Sequence, residues 1–218
     1  MVKTTAAPAV QRDRHTEQRI LDAAHTIFVR RGTAGARMQE IAEEAGVNKA
    51  LLHYYFRNKS RLGEAVFRRV ATGMFARLAS IMSGDADIET KVRQVVEVYF
   101  SQLSKVPYVP GYVLSELNQH PDRSHQLLEI VRTLRSSPDA PDFIGALAKQ
   151  LARAARDGQI RPIAADQFLV NLVSLCVFPF AARPMVCAVL QLDDRAYERF
   201  MKQRAATLAQ FFLDALRP

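Results

Sequence analysis

The chain is poor in cysteine, in glycine and in long apolar runs. Two cysteines in 218 residues, Cys176 and Cys187, are too few and too late for a disulfide framework. Their apolar neighbours suit small hydrophobes packed in a core. A redox-sensing thiol needs a cation beside it; none flanks Cys176, and Arg183 is the one that precedes Cys187. The longest apolar run, Phe168 to Ala182, is broken by Asn171, Ser174 and Pro179, so no membrane span is expected. The first ten residues lack the apolar segment of a secretory signal. Those two absences make a cytoplasmic protein the expectation. The nine glycines form no phosphate-binding loop, and no serine sits in a nucleophile elbow. Among five histidines, His120 and His125 bracket Asp122, but two histidines without a third ligand on a helix face do not make a metal site. No enzyme, metal or cofactor is expected.

What the chain does have is positive charge, unevenly placed. Its formal net charge is +8. Residues 1–70 hold thirteen Lys and Arg against seven Asp and Glu, while residues 71–218 hold seventeen against fifteen. The excess therefore sits in the first third. A segment of that kind binds a polyanion in a salt-sensitive way, through release of counterions from phosphates.

The same third carries the most informative motif, ARMQEIAEEAGVNKALLHYYFRNKSRL, from Ala36 to Leu62. Ile41, Ala42 and Ala45 recur at helical spacing against outward Gln39, Glu40, Glu43 and Glu44. Gly46 suits a turn that needs left-handed backbone. Asn48 is a good N-cap for a helix beginning at Lys49. Val47, Leu52 and Tyr55 continue the apolar face, and Asn58 or Ser60 caps the next helix. That is the sequence form of a helix-turn-helix, whose second helix enters the DNA major groove. The outward positions Lys49, Ala50, Leu51, His53 and Tyr54 are placed to meet phosphates, base edges or thymine methyls.

With RILDAAHTIFVRRG before it and NKSRL after it, this segment resembles the DNA-binding domain of the tetracycline-repressor (TetR) family of bacterial transcription regulators, over about residues 14 to 70. The usual Thr or Ser at the start of the second helix is replaced by Ala36 and Arg37, and an expected recognition-helix Tyr is His53. The resemblance implies a helix-turn-helix at 37–56, with Arg37, Asn48, Lys49, Ala50, Leu51, His53, Tyr54, Tyr55 and Lys59 at the DNA.

The rest reads as a row of helices. Residues 1–13 suggest a flexible arm, and 15–31 an amphipathic helix stopped by Gly32. A long helix from about Lys59 to Met82 carries Val66, Val70, Met74, Leu78 and Ile81 on one stripe. Helical stripes recur through 88–103, 108–118, 121–134 and 143–157, with loops at 83–87 and 136–141. Residues 164–178 are apolar nearly all round, and 193–216 hold a sustained aromatic and aliphatic stripe that can pack internally or against a partner. The expected fold is all-α, with a DNA-binding domain at 14–62 and a helical effector-binding and dimerisation domain at 63–218.

A ligand-responsive, sequence-specific DNA-binding repressor follows as the expected function. Its partners would be a palindromic duplex operator, a second copy of the chain and a small apolar effector, with no membrane. The rival reading is a helical adaptor with degenerate DNA binding. Candidate pocket residues are Met74, Phe100, Leu103, Leu117, Leu147, Phe168 and Leu172, with Asn171 and Ser174 as polar exceptions on an apolar helix. Because the last two helices form the subunit interface in the resembling family, Phe168, Leu175, Tyr197, Phe200, Met201, Leu208 and Phe212 are the expected dimer residues.

Overall fold

The computed structural model describes residues 7–136 and 142–218. In order, its helices are α1 (Ala7–Gly35), α2 (Met38–Glu44), α3 (Lys49–Phe56), α4 (Lys59–Ser83), α5 (Ile88–Leu103) and α6 (Val109–Gln119). Then come α7 (Asp122–Arg135), α8 (Phe143–Arg156), α9 (Ala165–Ala181), α10 (Arg183–Leu190) and α11 (Asp194–Asp214). No strand occurs among the described residues.

Side-chain caps set many of the starts. Asn48, Asn58, Asp87 and Asp193 accept from Leu51, Arg61, Thr90 and Ala196 backbone N–H groups at 2.7–2.9 Å. The Thr90 N–H holds the Asp87 carboxyl below its ordinary range. Gly32, at φ +71, interrupts α1 where the sequence places its stop. Of the expected arm at 1–13, residues 1–6 lie outside the described residues, and the chain is helical from Ala7. Pro8 falls in the first turn, where its missing N–H costs no hydrogen bond. Positions 137–141 of the expected loop also lie outside the described residues. Helix α10 was not legible from helical spacing; Pro184 in its first turn is the signal that marks it.

The helices form two compact units. One comprises the described residues up to Val70 together with Tyr112–Ser124; the other comprises Ala71–Gly111 and His125–Pro218. The expected boundary lies at residue 62; most of α6 and the start of α7 cluster with the first unit. Its apolar core includes Ile20, Phe28, Ile41, Leu52, Leu62, Val66 and Phe67. Into it come Tyr112, Glu116 and Arg123, all nearly inaccessible, beside the buried Thr33. Arg123 Nε lies 3.5 Å from Glu116 Oε2, and the guanidinium stacks 5.6 Å from the Phe67 ring centroid. Gly63 makes room for both neighbours: a Cβ there would stand 3.0 Å from Thr33 Cγ2 and 3.2 Å from Arg123 Nη2. Burial and the Glu116 charge push the Tyr112 phenol well above its usual range.

The second unit is built on α5, which buries Val92, Val95, Val96, Tyr99, Phe100 and Leu103. Each such side chain stabilises by about 1.5–3 kcal/mol through apolar burial. Phe168 meets Phe212 edge to face at 5.2 Å, and Phe100 meets Phe180 at 5.6 Å. Helix α8 adds Phe143, Leu147, Leu151 and Ala154 at helical spacing. Lys91 is buried too, donating to Met82 O (2.8 Å) and Gln150 Oε1 (2.6 Å); desolvation lowers its pKa.

Candidate nucleic-acid interface

Helices α2 and α3 meet through a turn that the sequence specifies atom by atom. Ala42 O and Glu43 O accept from Val47 N (2.9 Å) and Gly46 N (3.0 Å), which reverses the chain. Gly46 sits at φ +62, in left-handed backbone that residues with a Cβ avoid. Arg19 of α1 donates to Ala45 O and, at 3.1 Å, to Gly46 O, so it clamps the turn. A Cβ on Gly46 would lie 2.7 Å from Arg19 Nη2. Sequence reading did not find Arg19, because the contact spans 27 residues and leaves no local pattern.

The start of α2 shows how the chain manages without the family's Thr or Ser. Arg37 cannot accept a backbone N–H through its side chain. Glu40 instead reaches back to accept from Arg37 N at 3.4 Å and pairs with Arg31 at 3.1 Å. The guanidinium of Arg37 is left exposed.

Helix α3 buries Leu52 and Phe56 and presents the opposite face to solvent. Lys49, Ala50, Leu51, His53 and Tyr54 are all exposed there. Tyr54, at 76% exposure, stands out as an aromatic group with no core to serve. Asn48 spends its side-chain oxygen on the Leu51 N–H as N-cap. His53 Nδ1 donates to Arg57 O at 2.9 Å, which turns Nε2 outward. Two further expected DNA residues are engaged within the unit. Tyr55 donates its hydroxyl to Asp13 at 2.9 Å. Lys59 donates to Ala34 O (2.9 Å) and Ala36 O (3.2 Å), closing the loop between α1 and α2. The Tyr55 bond ties α3 to α1.

The expected pocket residues are scattered. Phe100, Leu103, Leu147, Phe168 and Leu172 are buried in the core of the second unit. Met74 is half-buried, and Leu117 is half-buried in the first unit. Asn171 and Ser174, expected to face inward, are exposed on α9. Of the expected dimer residues, Phe168, Tyr197, Met201, Leu208 and Phe212 are core, and only Leu175 and Phe200 are half-buried. The reason is that α9 is apolar on every side and α11 has two apolar edges, so sequence cannot say which edge faces inward. The outward apolar groups are Val170 and Phe178 on α9, Met185, Val189 and Leu190 on α10, and Phe211 on α11. Burial raises the Cys176 thiol to about 12, which suits a packing role. His120, Asp122 and His125 are exposed, and no group of three metal-ligating side chains occurs among the described residues. No single helix among those residues is long and apolar enough to cross a membrane.

Residues 20–66 match the family described as bacterial regulatory proteins, tetR family. The transcriptional repressor NicS of Pseudomonas putida is 24% identical over 192 residues, spanning 88% of this chain and 87% of NicS. The transcriptional activator FasR of Mycolicibacterium smegmatis is 35% identical over 81 residues; the match covers 37% of each chain, little more than a third of FasR. Two solved structures share the fold. HlyIIR, a hemolysin II transcriptional regulator, superposes with a TM-score of 0.61 at 20% identity, covering 94% of this chain and 99% of its own. FadR from Bacillus subtilis, solved in complex with stearoyl-CoA, gives 0.60 at 17% identity, covering 92% and 100%.

Proposed function

The chain belongs to the tetR family of bacterial regulatory proteins through its residues 20–66, and on that premise we propose that it is a ligand-responsive repressor that binds an operator as a dimer. The observation that carries the reading is the solvent face of α3. It presents Lys49, Leu51, His53 and Tyr54 on a helix held by the Asn48 cap, the Tyr55–Asp13 bond and the Arg19 clamp. Exposed aromatic and cationic groups on a rigid helix match what a major groove offers: phosphates along its edges and acceptors and methyls on its floor. Arg37 supplies a further phosphate donor at the start of α2.

Self-association has its own support. Val170, Phe178 and Phe211 are each more than half exposed on the two long helices of the second unit. Asn171 and Ser174 share the exposed side of α9 with them. Two copies joined through that surface carry two recognition helices, one for each half-site of a duplex whose half-sites lie about 34 Å apart. An effector bound in the second unit acts only if it favours one of two arrangements. Helix α4 is the covalent route, since its residues divide between the two units at Val70. Repression is favoured by NicS, a relative matched over 87% of its length.

The test is substitution on the exposed face. Tyr54→Ala and Lys49→Ala each weaken binding to a selected duplex by about tenfold or more, on the scale of about 1–3 kcal/mol per good contact. Helix content stays unchanged because neither side chain is buried. Unaltered DNA affinity in both variants would favour the adaptor reading.

A further inference from the structure

The second unit carries a groove of about 830 Å³ between α5 and α11, a size typical of small-molecule sites. It overlaps the expected pocket residues only at Phe100. Its floor is apolar, formed by Val96, Phe100, Phe180 and Met201. It stays open because the residues along its walls are small, Ser101 on α5 and Ala205 and Ala206 on α11.

The end of α9 shapes the groove through a proline. Pro179 has no N–H, so Leu175 O loses its helical donor. Arg204 of α11 replaces it, donating to that carbonyl from Nη2 (2.9 Å) and Nε (3.3 Å). Tyr197 of α11 donates its hydroxyl to Pro179 O at 3.0 Å. The helix axis then turns by 76° into α10. The result fixes Phe180 against Phe100 at the groove's floor.

The rim carries charges of both signs. Arg93 is paired with Glu89 (2.8 Å) and bonded to Gln210 (3.1 Å). Arg183 is paired with Asp194 (2.8 Å) and stacked 4.8 Å over the Tyr197 ring. Lys202 shares the rim with Glu97 and Glu198. The Ser101 hydroxyl donates to Val98 O. With both signs on the rim, and Arg93 and Arg183 already paired, an ion of either sign meets like charge as well as opposite charge, whereas an apolar ligand gains burial without giving up the hydration of a charge. From Arg93 to Ser104 the α5 wall runs about 16 Å at 1.5 Å per residue.

We infer that this groove binds an elongated, uncharged apolar molecule. Its role as the effector site rests on the regulator reading above; the binding itself does not.

The test titrates the full chain with N-phenyl-1-naphthylamine, an uncharged dye that brightens in apolar sites, and then displaces it with 1-dodecanol, dodecanoate or dodecylammonium. Saturable binding of one dye per chain is expected, with dodecanol displacing it at concentrations at least tenfold lower than either ion. Ala206→Phe fills the groove from an exposed position, and Ser101→Leu does so from the opposite wall. Each is expected to weaken dye binding at least tenfold with helical content intact. Dye binding unchanged in both variants, equal displacement by an ion, or conversion of a dimer to a monomer by the fillings would each overturn the proposal. Release of a selected DNA duplex by dodecanol is read separately. Dye binding without release overturns the effector role and leaves the groove site standing.

Discussion

The buried Glu116–Arg123 pair gives the sharpest energetic prediction. Both side chains are at most 6% exposed, and both come from the segment, 112–124, that completes the first unit. Arg123→Met removes a guanidinium from a carboxylate that has no access to water. Breaking one side of such a pair costs about 3–5 kcal/mol. The 3.5 Å separation is longer than an ideal charged hydrogen bond, which favours the lower figure. A cost of about 3 kcal/mol raises the opening equilibrium of the first unit about a hundredfold. Native-state amide exchange read by mass spectrometry measures it, through peptides covering α1 and the first half of α4. The double variant Arg123→Met/Glu116→Leu fills the site with apolar groups and is expected within about 1 kcal/mol of the parent. A single variant costing less than about 1 kcal/mol, or a double variant as unstable as the single, would refute the reasoning.

Gly46→Ala forces a Cβ into left-handed backbone and against Arg19, so a loss of about 1–2 kcal/mol in urea denaturation is expected, with weaker DNA binding. Burial, then the Arg69 charge, depresses the pKa of His25, with Asp22 opposing them. Protonation therefore favours the unfolded chain, and stability falls as pH drops below about 6.5. His25→Gln is expected to flatten that slope between pH 7 and pH 5 in thermal melts. Tyr197→Phe removes the donor to Pro179 O and is expected to cost about 0.5–1.5 kcal/mol in denaturant titration, with dye affinity in the groove also reduced.

Local chemistry makes much of the first unit legible in the sequence. Gly46, the Asn48 and Asn58 caps, the Gly32 stop and the exposed face of α3 all depend on neighbours within a few residues. Contacts distant in sequence were not legible. Arg19 on the turn, Tyr55 on Asp13 and Lys59 on Ala34 join positions at least 25 residues apart. Tyr55 and Lys59 consequently read as phosphate donors while their polar atoms are bonded inside the unit. In the second unit the obstacle is different. A helix such as α9, apolar all round, gives no phase to its stripe. Phe168 is core while Val170, two residues on, is 61% exposed. Asn171 and Ser174 read as inward on an apolar helix, yet both lie on its exposed side. The groove was invisible for a related reason, since small residues that leave space look like any other helix face. The 112–124 segment shows the limit on domain boundaries, because charges that belong to a buried core read as surface until their partners are known.

The central claim is that α3 reads a DNA sequence. The most direct measurement is selection of bound duplexes from a random pool by the purified chain at near-physiological salt, followed by titration of the enriched duplex against ionic strength. The account predicts a palindromic consensus, bound with an affinity that falls steeply as salt rises. Flat, sequence-blind binding with no enriched site would contradict it and turn attention to protein partners of the exposed apolar face of α9 and α11.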